Sequence, residues 1–182
     1  MLMHVNAKKM AVSGLMLALT VIFILAGSVL ESNTLFLLAA ASYFVGIVLR
    51  EFGARTASAF YLACVLLGFI VAPNKLYVMT YAGMGLYILV SEIVWEHMGR
   101  RVTEEKERQY IGFFWLVRFL IFNILYIPTV FLMQDILFGK KLGIGLLAVV
   151  ILLGQLGLFV YDCAYRYVQS SIWNKLRGKL FQ

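Results

Sequence analysis

Cysteine, histidine and charge are all scarce in this chain of 182 residues, and each scarcity closes off a class of chemistry. The two cysteines, Cys64 and Cys163, lie in different apolar stretches, and His4 and His97 are the only histidines, so no zinc or haem constellation can be assembled. No cofactor is expected, and both cysteines read as small buried hydrophobes. Gly139-Lys140-Lys141 lacks the preceding glycine loop and the following Ser or Thr of a nucleotide-binding P-loop. Neither a nucleophile elbow nor a paired-histidine metalloprotease motif occurs. An autonomous ATP-driven pump is thereby excluded, and no enzyme activity is expected. Charged residues make up 14% of the chain against 63% hydrophobic, a balance foreign to a soluble globule.

What is present is a series of long apolar runs, and the fold class they predict is an all-α polytopic membrane protein forming a single bundle. Six spans are drawn: Met10 to Leu30, Thr34 to Leu49, Thr56 to Val71, Leu76 to Trp95, Tyr110 to Met133, and Leu142 to Tyr165. The fourth is the most informative. A polar turn, Ala72-Pro73-Asn74-Lys75, opens it; Tyr77, Tyr81 and Tyr87 run along it; Glu92, Glu96 and Gly99 close it. About 20 residues at 1.5 Å rise cross a hydrocarbon core of roughly 30 Å. The basic run Lys8-Lys9 before the first span resembles a signal peptide, but the apolar core is too long and Ser28 stands where a lipoprotein would need cysteine, so an uncleaved helix is expected.

The net charge of +7 would suggest nucleic acid in a soluble protein; here it sets orientation. Lys and Arg crowd the N-terminus, the second and fourth connections and the tail (Lys8, Lys9, Arg50, Arg55, Arg100, Arg101, Lys106, Arg108, Arg166, Lys175, Arg177, Lys179), while the other connections hold Lys75, Lys140 and Lys141. Both termini are therefore expected in the cytoplasm. Thr103 with Glu104 and Glu105 reads as a helix start. The tail 166–182 carries Val168, Ile172, Trp173, Leu176 and Leu180 on one stripe, the pattern of an interfacial helix, or of a plain extension of span six.

Polar groups inside a bilayer are costly, so each calls for an account. Glu92, Arg118 and Asp162 fall near one end of spans four, five and six, and read as structural ion pairs clasping those spans, with a proton or ion relay as the alternative. At the other end Asn74, Lys75, Tyr77 and Tyr81 join Glu31 and Asn33 from the first connection, Asn123, Tyr126 and Gln134 from span five, and Gln155 from span six. Together they would make an outward aromatic pocket for a small organic ligand; the plainer alternative is an aromatic belt with ordinary interhelical hydrogen bonds. Ala7, Ala11, Gly14 and Ala18 form a small-residue stripe on span one that would let a partner helix approach closely.

Ala7-Lys8-Lys9-Met10-Ala11 reads as a version of an Ala-x-x-x-Ala motif. The segment from Leu35 to Glu92 adds a small-residue span two (Ala39, Ala40, Ala41, Ser42, Gly46), Glu51 just before Gly53, then Pro73-Asn74-Lys75 and a Tyr/Gly-rich span four. On these features, the length and the six-span topology, the chain resembles a substrate-binding (S) component of the energy-coupling factor transporters, bacterial micronutrient importers. The resemblance implies a bacterial cell membrane location, docking of the span-one stripe on a transmembrane coupling subunit driven by two ATPases, and capture of a vitamin-like molecule on the outer face. Two other readings compete: a membrane scaffold in which the Tyr and Asn side chains only pack, and a small channel using Glu92, Arg118 and Asp162.

Overall fold

A computed structural model describes residues 2–99, 107–139 and 143–180, and within them the chain is helical apart from short connections. The helices are α1 (Leu2–Val29), α2 (Thr34–Phe52), α3 (Ala54–Val71), α4 (Lys75–Gly99), α5 (Glu107–Phe138) and α6 (Ile144–Tyr167). A six-residue π-helical segment, Val168–Trp173, leads from α6 into α7 (Asn174–Leu180). Among the described residues, six helices are long and apolar enough to cross a membrane. Most of them overrun the apolar spans drawn from sequence, because hydrogen bonding carries a helix on into the interface after hydropathy has fallen. The expected helix start at Thr103, Glu104 and Glu105 lies outside the described residues.

Two compact units divide the chain, Met1–Gly99 and Arg100–Gln182. In the first, α2 is the central element, packed against α1, α3 and α4. Ala41, Ser42 and Gly46 are among its buried residues, and small side chains there let neighbouring helices approach closely. Ile24, Leu38, Val45, Val48, Val78 and Ile88 fill the surrounding core. The turn from α2 to α3 depends on Gly53, whose φ of 86° and ψ of 167° lie in a region open only to glycine. Its N–H donates to Leu49 O at 2.8 Å and its carbonyl accepts from Ala57 N–H at 3.1 Å, so the strained residue still satisfies its backbone.

The second unit is built on α5 and α6. Its helices are far more exposed: 11% of the α5 crossing window and 6% of the α6 window are buried, against 50% for α2. Phe119, Leu120, Ile124, Leu152, Leu153 and Leu156 stand outward, an apolar surface suited to lipid or to another helix. Cys163 is exposed too, a correction to the buried placement expected for both cysteines; Cys64 alone is in a core. A lipid-facing position is as apolar as an interior one, so hydropathy does not tell them apart. The tail does not break away from α6: backbone angles at Tyr167, Val168 and Asn174 remain helical, so residues up to Leu180 continue that helix.

Candidate functional site

At the end of the first unit where α3 meets α4, the polar side chains expected to hold a ligand finish helix ends. The carboxamide Oδ1 of Asn74 accepts from Leu76 N–H at 3.0 Å, capping α4. Lys75 Nζ donates to Ala72 O at 2.8 Å and also to Phe69 O, satisfying carbonyls left open where α3 stops. Asn33 is exposed at the end of the 3-10 turn Glu31–Asn33, its N–H donating to Leu30 O at 3.1 Å; the Glu31 side chain lies outside the described residues. Tyr77 is half-buried.

Tyr81, one turn further along α4, is fully buried. Its ring lies 6.5 Å from that of Tyr61 on α3, with the buried side chains of Cys64 on α3 and Thr20 on α1 close by. Tyr61 donates its hydroxyl to Ala82 O at 2.9 Å and crosses α4 against Gly85, where a Cβ would come within 3.0 Å of the ring. Tyr81 is thus part of the core where α1, α3 and α4 meet. Neither Thr20 nor Tyr61 was singled out from sequence, where each looks like an ordinary helix residue.

Toward the other end of α4, the buried carboxylate of Glu92 accepts two hydrogen bonds from Arg50 of α2: Nε at 2.9 Å to Oε2 and Nη2 at 2.7 Å to Oε1. The bidentate geometry matches the planar guanidinium fork. Arg50 entered the sequence reading only as an orientation signal. Its opposite charge at the same end of the spans as Glu92 is the signal that could have found the pair.

In the second unit three polar links tie α5 to α6 in antiparallel register. Arg118 Nη1 donates to Asp162 Oδ1, with both side chains buried, and the Arg118 guanidinium lies 4.5 Å from the centre of the Phe114 ring. Asn123 and Gln155 pair their amides, Gln155 Nε2 to Asn123 Oδ1 at 2.9 Å with a longer return contact of 3.4 Å. Tyr126 donates its hydroxyl to Val150 O at 2.9 Å and stacks on Phe122 with ring centres 4.9 Å apart. It crosses α6 at Gly154, where any Cβ would overlap the tyrosine ring. Gln134 donates to Phe131 O at 3.1 Å on its own helix. Arg118 and Asp162, and likewise Asn123 and Gln155, are therefore candidates that the structure brings together.

The small-residue stripe of α1 presents a different picture. Ala7, Ala11, Gly14 and Ala18 are exposed, and a Cβ added to Gly14 would meet nothing within 4 Å. Met16, Thr20 and Ile24, repeating every four residues on another face, are buried. One side of α1 is core and the small side is open. Comparison with family models, with characterised proteins and with solved structures yields no match, so the site residues stand on their own geometry.

Proposed function

We propose that the chain is a non-catalytic membrane subunit of the energy-coupling factor type, which captures a small micronutrient from outside and borrows its power from a separate membrane coupling subunit and two ATPases. In this reading it sits in a bacterial cell membrane with both termini in the cytoplasm. The observation that carries the proposal is the open small-residue face of α1, set off from that helix's core-facing side. A run of Ala and Gly on one helix face lets a partner's backbone approach closely there, and packing replaces lipid contact at little desolvation cost.

A second reading, a scaffold without a ligand, draws support from the structural use of Asn74, Lys75, Asn123, Tyr126 and Gln155 in caps and helix links. Affinity purification from the native membrane separates the outcomes. Tagged wild-type chain should co-purify ATPase subunits, and Gly14→Leu should lose them without any loss of thermal stability, because the added side chain enters open space and leucine favours the helix over glycine. Full recovery of the ATPases with Gly14→Leu would overturn the docking face. Native mass spectrometry showing no retained small molecule in a complex that keeps its ATPases would favour the scaffold.

A further inference from the structure

The C-terminal part of α6 holds an arginine whose donors are poorly used. Arg166 places Nε 3.4 Å from Asp162 Oδ2, a long ion pair, and Nη2 3.6 Å from the Cys163 sulfur; its guanidinium lies 5.1 Å from the centre of the Trp115 ring on α5. Half of the side chain, 51%, remains exposed. Arginine carries five N–H donors, and most of that capacity has no partner among the described residues.

The surroundings say what that group is. Phe159, Val160 and Tyr167 on the neighbouring turns of α6 are exposed, as are Phe113 and Leu116 on α5, so Arg166 emerges on a face otherwise made for acyl chains. It lies 22 residues beyond Ile144, about 33 Å along the helix, which is the depth of the far interface if α6 enters the hydrocarbon at its first turn. Phospholipid phosphates gather at that depth, and a tryptophan beside the arginine fits the same level. One turn onward, Gln169 is 4% exposed, and neither its amide nitrogen nor its oxygen has a partner among the described residues. Three residues apart on a helix, Arg166 and Gln169 are adjacent along it, the first exposed and the second buried.

We propose that Arg166, backed by Trp115 and Asp162, holds the phosphate of an anionic phospholipid in the leaflet where α6 ends, and that Gln169 turns out of its buried position to bind the headgroup beside it. The guanidinium and the amide N–H₂ supply donors to the phosphate oxygens, and the amide oxygen accepts from a hydroxyl-bearing headgroup such as glycerol. A choline headgroup brings a fixed positive charge against Arg166 and offers no hydroxyl, so it is disfavoured.

The test uses the full chain, purified in mild detergent, stripped of lipid and offered equal phosphatidylglycerol and phosphatidylcholine, with retained lipid read by native mass spectrometry. Wild type should retain phosphatidylglycerol in preference, and Arg166→Gln should reduce that retention about tenfold, as loss of a charge-assisted hydrogen bond implies. Lys175→Gln, at an exposed basic position nearby, should leave it unchanged. If Arg166→Gln does not fold, Arg166→Lys keeps the charge without the fork and should give an intermediate loss. Gln169→Leu should melt higher than wild type in lipid-free detergent and gain less from added phosphatidylglycerol. Equal retention of the two lipids, or undiminished retention in the Arg166 variants, would overturn the site. Displacement of the lipid by millimolar inorganic phosphate would overturn a lipid as the source of the anion.

Discussion

Gly154→Ala gives the sharpest test of how α5 and α6 are joined. In wild type the new methyl would overlap the Tyr126 ring, which must swing away or push the helices apart. Overpacking of this kind costs about 2 kcal/mol, and losing the hydroxyl bond from Tyr126 to Val150 adds about 1 kcal/mol. Against this stands about 1 kcal/mol gained by replacing glycine with alanine inside a helix. The net expectation is a loss of about 2 kcal/mol. In a Tyr126→Ala background the obstacle is gone, and the same substitution should stabilise by about 1 kcal/mol. The sign therefore reverses, with a coupling of about 3 kcal/mol between the two positions. Unfolding of the purified chain in mixed micelles by increasing dodecyl sulfate, followed by helical circular dichroism, measures all four corners of the cycle. An equal cost in both backgrounds would refute the close crossing of Tyr126 over Gly154.

Arg50→Gln removes the bidentate partner of a carboxylate that is 2% exposed, so the same unfolding assay should show a loss of about 3–5 kcal/mol; Arg50→Gln with Glu92→Gln should recover a large part of it, because no buried charge is left uncompensated. Gly53→Ala and Gly14→Ala meet equally open space but should move thermal stability in opposite directions. The first forces alanine into a glycine-only backbone region at a cost of about 1–3 kcal/mol, and the second gains up to about 1 kcal/mol of helix propensity.

Legibility in the sequence followed the range of the interaction. The turn at Gly53 and the cap at Asn74 are local events whose reason glycine and asparagine carry, yet apolar pattern alone assigns Asn74 to a pocket and stops most helices short. Tyr81 shows the limit. A tyrosine near a helix end reads as interfacial, yet this one is closed in by Thr20, Cys64 and Tyr61 from helices up to sixty residues away in the chain. Lys75 likewise reads as a charge waiting for a ligand, until the end of α3 is seen to lie within reach of its amine.

By itself the sequence determined an all-helical chain with six stretches able to cross a membrane, because backbone groups in lipid must find their partners within the helix and apolar length alone decides which segments qualify. It also determined which crossings carry polar side chains. The pairing of Arg118 with Asp162 was already an expectation of the sequence; only the tertiary structure decided that Glu92 meets Arg50, that Arg166 joins Asp162, and that the small face of α1 is open while α2 is enclosed. In water, hydrophobicity marks the inward face of a helix. In a bilayer the lipid is as apolar as the protein core, so which face turns inward is settled by shape, by hydrogen bonds and by charge pairing between helices.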